Sequence, residues 1–156
     1  MYPSGVADAP AAVRRVPGGA GTTFEVMFHP SGEGLRIGTV RRPPRGVPKT
    51  EFAKQNWYDV WFPNLAPSDK LLKQGQAAET DAEWKAFVRK YKAEMAEPHA
   101  RHDLALLSAL SHTTNFSVGC YCENEARCHR SVLRELLADA GAQIGLTPVL
   151  FGGPVK

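Results

Sequence analysis

Three cysteines, Cys120, Cys122 and Cys128, crowd into nine residues of a 156-residue chain, and His129, Arg130 and Ser131 follow the last of them directly. Thiol beside imidazole is a pairing for nucleophilic chemistry, with Cys128 as the nucleophile or thiolate and His129 as its acid/base partner. If the segment opens a helix, the backbone N–H groups there favour anions and lower a cysteine pKa. Arg127, Arg130 and Ser131 are then placed to hold a phosphate or carboxylate, and Arg42 and Arg45 join them if their loop closes over the same edge. A tyrosine-phosphatase-like loop is absent, because it needs an arginine where Cys128 stands after Cys122-x5. A second chemistry is metal binding, with Cys120, Cys122, Cys128 and His129 as soft ligands that zinc accepts. The spacing speaks against a full set: consecutive residues on a helix point about 100° apart, and no C-x2-C pair is present. A third is redox chemistry, in which Cys122 and Cys128 could close a disulfide while Cys120 and Cys122 stand too close for one. The plain structural alternative makes the cysteines small buried hydrophobes and puts Arg127, His129 and Arg130 on a helix surface.

These residues need a scaffold, and the pattern around them describes one. Phe116 to Tyr121 is an apolar run with β-branched and aromatic residues, the signature of a buried strand. Cys128 to Ala140 follows as a helix burying Val132, Leu133, Leu136 and Leu137, with Gly141 at its C′ position. The cluster therefore falls where a strand passes into a helix, the edge at which open α/β sheets bind ligands.

Upstream, Asp81 to Ala96 is the clearest helix, with Trp84, Phe87, Val88, Tyr91 and Met95 on one stripe. Pro98 breaks it, and a further helix over His99 to Leu110 buries Leu104, Leu107 and Leu110, leaving His99 and His102 on the surface. Ser68 is a candidate N-cap for a helix after Pro67. Phe24–Phe28 and Leu35–Val40 read as strands around the turn-forming His29–Gly34, a hairpin candidate. Arg41 to Pro48 carries three prolines and forms an exposed basic loop. Trp57 and Trp61 are four apart, consistent with a short helix, and they and Tyr58 serve either as core or as bases' stacking partners. Pro148 to Phe151 reads as a last edge strand, and residues 1–23, rich in Ala, Gly and Pro, as a flexible tail. The expected architecture is one α/β domain over 24–156, a largely parallel sheet flanked by helices.

Composition narrows the function classes. Apolar residues make up 43% and charged residues 22%, which fits a folded domain and not a disordered chain. No apolar stretch approaches the ~18 residues of a membrane span. The net charge is only +3, yet between 36 and 54 six cations face the single carboxylate of Glu51. Such a stretch suits an anionic ligand or a short nucleic-acid contact. Clustered, odd-numbered cysteines and the absence of an apolar leader segment lead us to expect a cytoplasmic protein.

Val40-Arg41-Arg42, Pro44-Arg45-Gly46-Val47, Leu65-Ala66-Pro67-Ser68, Trp84 with Phe87 and Tyr91, and Cys128-His129-Arg130-Ser131 together resemble the DUF488 family. Its members are small prokaryotic α/β proteins, mostly without an assigned function, and one branch is called YeaO-like. The resemblance runs over roughly 35 to 140. It implies an α/β fold, and its motif positions fall on Arg42, Arg45, Gly46, Trp57, Pro67, Ser68, Cys128, His129 and Arg130. It supplies no reaction. The first expectation is thus a domain that binds or transforms an anionic small molecule, such as a nucleotide, at the Cys-His-Arg segment. The alternatives are a nucleic-acid-associated module using the 36–54 stretch, and a metal or redox sensor built on Cys120, Cys122 and Cys128.

Overall fold

The computed structural model describes residues 13–17, 23–27 and 35–144, apart from 56, 115, 121 and 123. The sheet contains β1 (Val13–Pro17), β2 (Thr23–Met27), β3 (Leu35–Gly38), β4 (Val60–Trp61) and β5 (Phe116–Cys120), in the spatial order β1-β2-β5-β3-β4. β3 runs parallel to both β4 and β5, so the site-bearing half is an open parallel sheet. β2 pairs antiparallel with β5, and β1 with β2. The described helices are α1 (Asp69–Ala77), α2 (Asp81–Met95), α3 (Pro98–Leu110) and α4 (His129–Asp139). The chain is therefore mixed α/β with a parallel sheet, as its alternating elements require.

Two local expectations are corrected. The strands at 23–27 and 35–38 do not form a hairpin, because β5 lies between them. The turn residues between them signalled a reversal, but Phe116–Cys120 is the apolar strand that must be buried on both sides, and it takes the central place. β2 pairs instead with β1, which occupies part of the segment expected to be a tail. Nor do Trp57 and Trp61 share a helix. A 3-10 turn at Lys49–Glu51 precedes them, and Trp61 belongs to β4, a two-residue edge strand. The strand expected at Pro148–Phe151 lies outside the described residues.

The helices start and stop where their chemistry directs. Ser68 caps α1 by accepting from the Leu71 N–H. Thr80 and Glu83 form a reciprocal capping box on α2. Pro98 takes the first turn of α3, where its missing N–H costs nothing. Gly141 follows α4 at φ 92°, a left-handed turn that favours glycine.

Packing divides into two clusters. Ile37 and Val118 meet the apolar stripes of the helices, including Phe87, Tyr91, Leu104, Leu107, Val132, Leu133 and Leu137. Leu110 is more than a third exposed, so the expected α3 stripe is shorter than its sequence spacing. The second cluster joins Val40, Phe52, Trp57 and Tyr58 to Cys120 and Cys128. Here Gly38 admits the Tyr58 ring, which a Cβ would strike. Arg36 anchors the covering segment through a two-pronged contact with Asp59, at 2.9 and 3.2 Å, and a bond to the Ala53 carbonyl. No helix among the described residues is long and apolar enough to cross a membrane.

Candidate functional site

The parallel strands β3 and β5 end side by side, with Gly38 opposite Gly119. Cys120 closes β5, and α4 begins nine residues later. Cys128 is the N-cap of α4, with extended dihedrals (φ −128°, ψ 143°), so it stands outside the helix. The 100° separation expected of consecutive helical residues therefore does not apply. Cys128 and His129 turn toward the same point, and their Sγ and Nδ1 atoms are 3.8 Å apart. The Cys120 and Cys128 sulfurs approach to 2.9 Å, and one ligand atom from each of Cys120, Cys122, Cys128 and His129 lies within 4.8 Å of the others. All three cysteines are free thiols. Cys120 and Cys128 are thus in contact, a pairing that spacing along the chain did not single out beside Cys122–Cys128.

Hydrogen bonds orient this cluster. The backbone N–H of Cys122 donates to Cys120 Sγ, and that of Arg130 to Cys128 Sγ, each at 3.4 Å. His129 Nε2 stands 2.7 Å from the carbonyl oxygen of Thr39, at the end of β3. A carbonyl only accepts, so Nε2 carries a proton and Nδ1 is the ring nitrogen that faces the sulfurs. Tyr91 meets the imidazole edge-on at 5.7 Å and is itself tied to the Leu65 carbonyl at 2.6 Å. Ser131 Oγ donates to the Cys128 carbonyl, a bond within the first turn and not one aimed at a ligand.

The three thiols differ in exposure and in proton affinity. Cys120 and Cys128 are buried, while Cys122 is half-buried. Hydrogen bonds from the Cys120 and Cys128 thiols hold the Cys122 thiol well below the ordinary cysteine range, and His129 adds to the effect. Its bond to Cys122, together with burial, pushes Cys120 up to about 12. Contact with Cys120 and Cys122 and burial push Cys128 up as well. The sequence pointed to Cys128 as the nucleophile. The fold buries that sulfur and opens Cys122 instead.

A cleft of about 50 Å³ reaches the cluster from the surface, between α1, α2 and the start of α4. Cys122, Cys128 and His129 line it together with Trp84, Phe87, Gly75 and Arg127. Gly75 lets α1 close on the Phe87 ring, which a Cβ there would strike. Arg127 lies 5.9 Å over the Trp84 ring and pairs with the exposed Asp81 at 2.6 Å. Trp84 read in sequence only as part of a core stripe. Thr39 carried no signal there at all, because its contribution is a backbone carbonyl.

The other expected anion-binding residues do not gather at the cleft. Arg130 is fully buried. Arg42 pairs with Asp69, both exposed, and Arg45 is exposed on its loop. Neither lines the cleft. Arg41 instead ties its loop to the Ala66 and Pro67 carbonyls, at 2.6 and 2.8 Å. Trp57 and Tyr58 are buried, and neither offers a ring face to a base. Trp61 is half-buried, with its indole N–H on the Val40 carbonyl.

The family model described as the active DUF488-N3 subclade matches residues 27–141, which includes every element from β3 to α4 and all four residues of the cluster. No curated protein and no solved structure matches the chain. With nearly three quarters of its length matched by that one model, the chain belongs to the DUF488 family.

Proposed function

We propose that this protein is an enzyme of the thiol type, acting on a small anionic molecule at the cleft between α1, α2 and α4. One observation carries the reading: a single cleft is lined by a half-buried thiol, Cys122, an imidazole, His129, and a guanidinium, Arg127. The match to an active DUF488-N3 subclade supports an enzymatic role over a purely structural one.

In this reading Cys122 is the nucleophile. His129 faces the sulfurs with Nδ1 and takes up or returns the thiol proton, its ring held by Thr39 and Tyr91. Arg127 binds the anionic group. Its pairing with Asp81 is a surface ion pair, which contributes little and can be exchanged for a substrate phosphate or carboxylate. A volume of about 50 Å³ admits only the reacting end of a substrate, leaving the remainder over Trp84 and the rim. Nucleotides and phosphate esters are the compounds to screen.

The test is alkylation of the reduced protein by iodoacetamide, followed by peptide mass spectrometry, with and without a panel of anionic small molecules. Cys122 should react first, and at least one anionic compound should protect it in the wild type and not in Arg127→Gln. Faster labelling of Cys120 or Cys128, or no protection by any anionic compound, refutes the reading.

A further inference from the structure

The geometry points to a soft divalent cation site, zinc by preference, formed by the sulfurs of Cys120, Cys122 and Cys128 and by Nδ1 of His129. Four observations converge on it; the ion and the thiol chemistry proposed above use the same Cys122 sulfur and the same Nδ1, so they belong to alternative states of one cluster, metal-bound and metal-free.

The first is the donor set. Three thiols and an imidazole within 4.8 Å of one another are the ligand types and the number that a tetrahedral zinc site uses. Zn–S bonds of about 2.3 Å and Zn–N bonds of about 2.0 Å place neighbouring ligand atoms roughly 3.5–3.8 Å apart. Cys128 Sγ and His129 Nδ1 already stand at 3.8 Å. Cys120 and Cys128, at 2.9 Å, need only to part by roughly an ångström to take the same spacing.

The second is the imidazole. Metal-bound histidines commonly donate their other ring N–H to a carbonyl or carboxylate, which fixes the tautomer and aims the lone pair. The Thr39 carbonyl serves His129 in this way, 2.7 Å from Nε2. The third is the environment of the sulfurs. Backbone N–H groups two residues ahead reach Cys120 and Cys128, the orientation in which an amide stabilises a thiolate bound to a cation. The fourth is backbone shape. Cys128 is an extended N-cap, a conformation that lets it and the following residue turn toward one ion.

Cys120 and Cys128 are buried and Cys122 faces the cleft, so a bound ion would sit beneath the cleft floor with Cys122 as the ligand on its open side. Soft sulfur ligation selects zinc, or cuprous copper, over magnesium and calcium.

The test uses the full chain, reduced, stripped of metal by chelator and titrated with cobalt(II) as a spectroscopic stand-in for zinc. One equivalent should produce thiolate-to-cobalt charge transfer and the visible bands of tetrahedral cobalt, and zinc should displace it. Cys122→Ser, on the cleft side and outside the buried core, should lose about a third of the charge-transfer intensity and bind at least tenfold more weakly. Cys120→Ser should behave likewise, and zinc should raise the melting temperature of the wild type much more than that of either variant. No charge-transfer band at one equivalent, or a band of equal intensity in both variants, overturns the site. The alkylation test of the thiol reading is run on metal-free protein, so either proposal can fail while the other stands.

Discussion

His129 Nε2 and the carbonyl oxygen of Thr39, ninety residues apart in sequence, lie 2.7 Å apart at the point where β3 ends and α4 begins. This contact fastens the helix start to the sheet and decides which ring nitrogen faces the thiols. Nitrogen-15 NMR of the histidines should therefore show a proton on His129 Nε2 hydrogen-bonded to a carbonyl. In His129→Ala the Thr39 carbonyl loses its partner in a buried place, which costs about 1–3 kcal/mol, and Tyr91 loses an edge contact. Equilibrium denaturation should show a loss of that order; an unchanged midpoint would mean that the contact carries no stability.

Exposure ranks the thiols. Cys122 is half-buried at the cleft, while Cys120 and Cys128 are 1% and 2% exposed. In the metal-free, reduced, folded protein, Cys122 should react with a small alkylating agent well before the other two. Under denaturant all three should react at similar rates. Time-resolved mass spectrometry separates the two regimes.

Arg127 is the guanidinium on the cleft wall. A charge-assisted hydrogen bond to an anion is worth about 1.5–3 kcal/mol. Arg127→Gln should thus weaken any anionic ligand of the cleft by about ten- to a hundredfold. The fold itself should lose less than about 1 kcal/mol, because the lost Asp81 contact is a surface pair. Calorimetric titration beside a melting curve measures both.

Gly38 is required by a neighbour and not by its own dihedrals. Its missing side chain leaves room for the Tyr58 ring, which is fully buried. Gly38→Ala should destabilise the protein by about 1–3 kcal/mol or more, as overpacking of a filled core does. Gly38→Ala combined with Tyr58→Leu should recover part of that loss.

Asp59 gives stability a pH dependence. Burial alone would raise its pKa, but the side-chain and backbone hydrogen bonds from Arg36 outweigh burial and hold the carboxyl below 3.8. The folded state therefore favours the ionised form. The stabilisation is fully present above the unfolded pKa and disappears as pH falls through the lower folded value. Asp59→Asn should cost about 1 kcal/mol at neutral pH, and its difference from the wild type should shrink below pH 3.8. A difference constant from pH 7 to pH 3 would rule the linkage out.

The features legible in the chain are local. The 3.6-residue stripe of Trp84, Phe87, Tyr91 and Met95 placed α2 almost to its ends, because amphipathic spacing acts within a few residues. Ser68 and Gly141 marked helix ends for the same reason. The apolar run at 116–120 announced a buried strand, and the cysteines from 120 onward marked where the thiol–imidazole cluster forms. The tertiary structure alone decided the rest. Strand order depends on long-range pairing, so the turn-forming residue types at 29–34 suggested a hairpin, whereas β5 lies between the two strands. The fate of each arginine depends on what packs over it: Arg130 is buried, Arg42 is turned to Asp69, and Arg127 remains at the cleft. The convergence of Cys128 and His129 rests on one extended residue at a helix cap and on a carbonyl from a distant strand. Spacing along the chain records neither, because both are set by where the backbone goes once the sheet has formed.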